Sequence, residues 1–264
     1  MSITVVYGMP TLIQCESLEE CIALCKELDL DFIEINMNLP QYQKDTMDLN
    51  RMKRCIDEEN IFFTIHLDEN LNVCDFNREV AEAYIDTVLF AIEAAKKLEM
   101  PVLNMHMAKG VYFTLPHKKV YLFEKYNEIY LNNLRQFRDL CEEKIGSSNI
   151  KICIENSDGY TEFMKEGINL LLQSDAFALT FDIGHDYCIG NKDIIFIKEN
   201  INRLTHMHFH DATGNKNHLP LGKGEIDINE KLNMAISHNC SCVLETKTIE
   251  GLRKSVEYLK SYKF

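Results

Sequence analysis

Tryptophan is absent from this 264-residue chain, and so is any CxxC pair. Without that spacing there is no zinc-ribbon framework. No apolar run reaches the roughly 18 residues a membrane-spanning helix requires, so no membrane partner is expected. Basic charge is in deficit: 28 Lys and Arg face 41 Asp and Glu, a formal net charge of −13. Such a field repels phosphate backbones and disfavours a nucleic-acid partner, although a local basic groove is compatible with it. The opening MSITVVYGMP carries no basic stretch ahead of an apolar one. It is expected to form a first strand and turn, not a secretory signal. No glycine-rich phosphate turn occurs early, as an open doubly wound sheet would need.

What is present is ordinary globular composition, 46% hydrophobic and 26% charged. The ten cysteines lack regular spacing. They sit in apolar segments, Cys153 and Cys242 inside apparent strands, as small buried thiols do in a reducing compartment. A cytoplasmic location is the expectation. Cys21 and Cys25 share a predicted helix face and are expected in the core.

Short apolar runs alternate with amphipathic segments along the whole chain. Strands are expected at Ile3–Tyr7, Phe32–Asn36, Phe62–Leu67, Pro101–Met107, Lys151–Asn156, Phe177–Ile183, Leu204–Asp211 and Ser241–Thr246. Helices are expected from Ser17, with Glu20 completing a capping box, to about Leu28, then near Leu49–Glu59, Arg78–Leu98, Lys119–Lys144, Thr161–Gln173, Asp193–Asn202, Ile228–Ser237 and Glu250–Ser261. Eight strand–helix units imply parallel pairing and closure into a single (β/α)8 TIM barrel, an α/β fold. No linker interrupts them, so residues 1–264 are expected to form one domain.

The densest chemistry lies in Leu204–Asp227, LTHMHFHDATGNKNHLPLGKGEID. His206, His208 and His210 alternate with Met207 and Phe209, so the three imidazoles share one face of a strand. A metal or proton site is one reading. One buried, hydrogen-bonded histidine with two exposed ones is the other. In barrel enzymes the site lies at the C-terminal strand ends, and polar residues recur there: His66, His106, Glu155–Asn156, Asp182 with His185, His208 and Glu245. In KICIEN and CVLETK a carboxylate interrupts an apolar run. A buried unpaired carboxylate costs several kcal/mol, so each must be paired or metal-bound. Glu155, Asp182, His208 and Glu245 are therefore expected to share one divalent metal. Three carboxylates and one imidazole suit Mn2+, Mg2+ or Co2+, with Zn2+ admitted if further histidines join. His66, His106, His185 and His218 can supply those, or can bind substrate or support the ligands.

The set IEN, FDIGH, HFHD, HLPLGKGEID and LET resembles the xylose-isomerase-like TIM-barrel superfamily, which includes sugar and sugar-phosphate isomerases and epimerases and endonuclease IV. The resemblance covers nearly the whole chain. It implies a divalent metal on Glu155, Asp182, His208 and Glu245, with Glu155 and Glu245 as the catalytic acid/base pair. These would exchange a proton beside the carbonyl of a small sugar, sugar phosphate or polyol ketone through a metal-stabilised enediolate. His106 and His185 would grip substrate oxygens. Glu34 would contribute, or serve as a structural barrel carboxylate. A homo-oligomer is implied too, since barrels of this superfamily are often dimers or tetramers. The alternative is an endonuclease IV-like zinc phosphodiesterase, whose trinuclear ligands are matched by His66, His106, Glu155, Asp182, His185, His208, His218 and Glu245. That match fails at Lys216, where the family has an aspartate. A silent metabolite-binding barrel is a third reading, disfavoured by the intact quartet. With no tryptophan, an aromatic substrate wall would fall to residues such as Tyr112, Phe113 or Tyr187. Lys109, His117 and Lys216 are candidates for a phosphate, or are solvated loop charges. Specificity is expected in the loops Asn70–Asn77, Ala108–Lys118 and Gly214–Glu225.

Overall fold

The computed structural model describes residues 5–261. Eight strands close into one parallel barrel: β1 (Tyr7–Pro10), β2 (Phe32–Asn36), β3 (Phe62–His66), β4 (Val102–His106), β7 (Lys151–Glu155), β8 (Phe177–Asp182), β9 (Leu204–Phe209) and β12 (Ser241–Leu244). β1 closes the ring by pairing with both β2 and β12. Two antiparallel hairpins stand on the loops, β5 (Tyr112–Leu115) with β6 (Lys118–Tyr121), and β10 (Asp211–Thr213) with β11 (Lys216–Leu219).

The helices are α1 (Leu18–Glu27), α2 (Leu49–Glu59), α3 (Arg78–Leu98), α4 (Leu122–Lys125), α5 (Asn127–Ile145), α6 (Glu162–Leu171), α7 (Ile183–Cys188), α8 (Asp193–Glu199), α9 (Ile228–His238) and α10 (Ile249–Ser261). α1 starts as its sequence dictates: Ser17 Oγ accepts from Glu20 N at 3.2 Å, a cap worth about 1 kcal/mol. The reciprocal arm differs from a strict capping box, because the Glu20 carboxylate accepts from Glu16 N rather than from Ser17 N. No helix among the described residues is long and apolar enough to cross a membrane.

Three expected elements are corrected. The first strand is Tyr7–Pro10 rather than Ile3–Tyr7, and Ile3 and Thr4 lie outside the described residues. Gly8 belongs to it because a Cβ there would meet the Phe32 ring at 2.5 Å. The helix expected from Lys119 is replaced by β6, α4 and α5, with a break at Tyr126 (φ −117, ψ 46). Lys118–Tyr121 instead pairs back on Tyr112–Leu115 across the turn at Pro116 and His117. Finally, α7 follows β8 directly, its start capped by the Asp182 side chain, which accepts from His185 N at 2.7 Å.

Register places the chemistry. His106 lies opposite Glu155 across β4 and β7, Asp182 opposite His208 across β8 and β9, and Glu34 opposite Thr64 across β2 and β3. Strand alternation then turns Glu34, Thr64, Glu155, Asp182, His206 and His208 away from the helices, and all are buried. Around this polar interior, Phe63, Ile65, Leu103, Ile152, Ile154, Phe181 and Met207 face the helical layer in one continuous apolar core.

Candidate active site

One imidazole nitrogen organises the site. His208 Nδ1 lies 3.1 Å from Glu155 Oε1, 3.3 Å from Glu245 Oε2 and 3.9 Å from Asp182 Oδ2. His208 Nε2 lies 3.0 Å from Glu34 Oε1 on the other side of the ring. The second oxygen of Glu155 faces His106 Nε2 at 3.0 Å and His66 Nε2 at 3.3 Å, and accepts from the Asn104 amide. Burial opposes charge throughout, yet the partners win. Burial would raise the Glu155 carboxyl, but His208 and His106 hold it well below the usual range. Glu245 is held low against its burial by His208 and Lys247. His66 is driven toward neutrality by burial but is carried up to about 9 by Glu155 and Glu34. His218 goes the other way, pushed down to about 4 by burial.

The quartet named from the sequence does come together. Glu155, Asp182, His208 and Glu245 each offer a donor atom within 4.8 Å of the others. Three carboxylates this close repel one another unless a cation or proton sits between them. Glu245 Oε2 is buried without a hydrogen-bond donor, an unsatisfied acceptor of the kind a divalent ion completes. Oxygen-rich donors with one imidazole fit Mn2+, Mg2+ or Co2+.

Above the quartet opens a cavity of about 580 Å³. His66, His106, His185 and His218 line it, together with Glu155 and Glu245. His185 Nε2 is 4.0 Å from Asp182 Oδ2, and His218 Nδ1 donates to the Glu245 carbonyl at 3.1 Å. The site is therefore a cavity walled by imidazoles over a buried acidic floor.

Other expectations fare differently. Tyr112 and Phe113 stand exposed on β5, and Tyr187 donates to Glu225, so none of the three lines the cavity. Among the described residues no other Phe or Tyr lines it. Lys109 does line it, with Nζ donating to the Asp158 carbonyl at 2.9 Å, whereas His117 and Lys216 are exposed and outside it. The reading of one buried and two exposed histidines fails: His206, His208 and His210 are all fully buried.

Four residues gain roles that the sequence reading did not assign. Lys247 reaches Glu245 Oε1 at 2.9 Å. Asn104 serves Glu155, as above. Asn156 clamps the Asp182 backbone, accepting its N–H at 2.8 Å and donating to its carbonyl at 2.9 Å. His206 donates or accepts at Ser241 Oγ (2.6 Å) and lies 3.1 Å from Glu34 Oε2. Asn156 was visible in the IEN motif and His206 in the alternation of HMHFH, though not its partners; Lys247 and Asn104 show no local pattern.

The family model described as xylose isomerase-like TIM barrel matches residues 22–262. The chain belongs to this family. An uncharacterized protein of Methanocaldococcus jannaschii, MJ1188, is 23% identical over 279 residues, covering 96% of this chain and 98% of that protein. A D-tagatose 3-epimerase-like protein of known structure is 25% identical, covers 98% of this chain and 97% of its own, and superposes with a TM-score of 0.79. The IOLI protein, solved with a bound zinc atom, is 16% identical, with 97% and 96% coverage and a TM-score of 0.73. Further structural neighbours include L-ribulose 3-epimerase and D-allulose 3-epimerase. The xylose isomerase-like fold is thus shared with several sugar epimerases.

Proposed function

We propose that the chain is a divalent-metal-dependent isomerase or epimerase of a small sugar, sugar phosphate or related polyol ketone. The observation that carries this reading is the convergence of Glu155 Oε1 and Glu245 Oε2, at 3.1 and 3.3 Å, on one nitrogen of His208 beneath an imidazole-lined cavity. Glu155, Asp182, His208 and Glu245 would hold the ion, which when bound supplies the positive charge that polarises a carbonyl and its neighbouring hydroxyl. Glu155 and Glu245 are both held ionised, so each can take a proton from the carbon beside the carbonyl, and the protonated acid can return it. His66, His106, His185 and His218 surround the space a polyol would fill and would orient its oxygens. The sugar epimerases among the structural neighbours and the zinc in IOLI support the substrate class and the ion.

The decisive assay follows solvent deuterium. With Mn2+ or Co2+ and a panel of ketoses and ketose phosphates in D2O, turnover is expected to place deuterium on the carbon next to the carbonyl. Glu155→Gln and Glu245→Gln are each expected to lose nearly all turnover. Undiminished turnover in both would overturn the roles given to them.

The competing reading is a zinc phosphodiesterase acting at abasic sites. It is favoured by His66 and His106, which approach the same oxygen of Glu155 from two strands. The net charge of −13 works against it. Elemental analysis separates the two: one ion per chain accompanies isomerisation, two or three accompany hydrolysis.

A further inference from the structure

His185, His210 and His218 bring ring nitrogens within 4.8 Å of one another, which invites a second, three-imidazole metal site. The hydrogen bonds argue otherwise. His210 Nδ1 is paired with the backbone N–H of His218 at 2.8 Å. A backbone amide only donates, so Nδ1 holds its lone pair toward it and the ring proton sits on Nε2. That Nε2–H meets Asp182 Oδ2 at 3.0 Å. Both nitrogens are committed, and the ring has none left for an ion.

The surroundings are shaped for this role. The His210 ring is fully buried and lies 4.1 Å, centroid to centroid, from the ring of His218. Gly184, in α7, makes the space: a Cβ there would fall 2.0 Å from His210 Cε1. His218 has φ +53, a left-handed conformation that strains a residue carrying a Cβ. It persists because both ends of the residue are tied, its N–H to His210 and its Nδ1–H to the Glu245 carbonyl.

We infer that His210 is a positioning residue that sets two functional groups with one ring. Through Nε2 it fixes the carboxylate of Asp182. Through Nδ1 it fixes the strained backbone that presents His218 to the cavity. The Asp182 half of this inference rests on the proposed metal role of that residue; the His218 half does not.

Two conservative variants separate the halves. In His210→Asn the amide oxygen replaces Nδ1 and the partner of Asp182 is lost. In His210→Gln the amide nitrogen replaces Nε2 and the partner of His218 is lost. Titration of the full chain with Mn2+ is expected to show roughly ten- to hundredfold weaker binding in His210→Asn and near-native binding in His210→Gln. Amide hydrogen exchange at His218 is expected to rise roughly tenfold or more in His210→Gln and to stay near native in His210→Asn. Equal losses of both readouts in both variants, tracking a common loss of thermal stability, would overturn the inference, as would no change in either. If wild type takes up no Mn2+, the metal reading fails and the Asp182 half with it, and the exchange data alone judge the His218 half. If neither variant folds, the imidazole 15N spectrum of the wild-type chain decides: a neutral ring protonated on Nε2 supports the inference, and one protonated on Nδ1 refutes it.

Discussion

Glu34 and His208 face each other at 3.0 Å, Oε1 to Nε2, inside the barrel and on the opposite side of the imidazole from the carboxylates of Glu155, Asp182 and Glu245 proposed to hold the metal. The same glutamate receives the Thr64 hydroxyl at 3.1 Å and lies 3.1 Å from His206 Nε2. Carboxylates behind ligand histidines fix ring orientation and raise ligand basicity. Glu34→Gln is therefore expected to weaken Mn2+ binding about tenfold or more, read by calorimetric titration. Glu34→Ala, which strips a fully buried pair of one partner, is expected to cost about 3 kcal/mol or more in urea unfolding. Native metal affinity in Glu34→Gln would show that the carboxylate is only a structural member of the barrel.

The pH dependence of the metal-free protein follows from the shifted groups. His66 is raised to about 9 by Glu155 and Glu34 against its burial, and His208 is raised too by Glu155 and Glu34. Folding thus favours their protonated forms, and that stability is full below the unfolded histidine value of about 6.5. It is lost as pH climbs from there through about 9. Glu34, Glu155 and Glu245 are lowered, so their contribution is full above the unfolded glutamate value of about 4.3 and is lost on acidification. Burial lowers His206 and His218, the latter to about 4, so these two remove stability as pH falls below the unfolded histidine value of about 6.5. Urea midpoints of metal-free protein should therefore be highest near a pH of about 6.5. A midpoint that rises steadily from pH 6.5 to 9 would contradict the charge assignments.

Much of this was legible in the chain. Eight alternations of apolar strand and amphipathic helix suffice for the barrel, because every strand must bury one face on the helices. Glu155 and Glu245 betrayed themselves by interrupting apolar runs. The hairpin at Tyr112–Tyr121 was hidden because its residues are exposed or half-buried on both faces and leave no alternating pattern. The partners of His210 could not be read either: Asp182 is 28 residues away on another strand, and His218 is met through its backbone. Chemistry carried by residue type and strand position survives in one dimension, whereas hydrogen-bond direction does not.

Gly184→Ala offers a test of the crowding around His210. The added methyl would enter the imidazole at 2.0 Å, and His210 has no room to retreat while bonded at both nitrogens. Overpacking of this kind costs about 1–3 kcal/mol. Denaturant unfolding should show that loss. An unchanged midpoint would mean the α7 turn yields without strain.

Lys247 Nζ sits 2.9 Å from Glu245 Oε1 at the cavity wall. Lys247→Met removes a cation that helps keep Glu245 ionised. The acid limb of the rate profile should move to higher pH, with little change in fold. An acid limb that stays in place would assign Lys247 to solvent rather than to the site.

The most direct test is anomalous diffraction from crystals grown with Mn2+. The account predicts one strong peak bounded by Glu155, Asp182, His208 and Glu245, absent in Asp182→Ala. A well-occupied peak elsewhere with none among these four residues would contradict it.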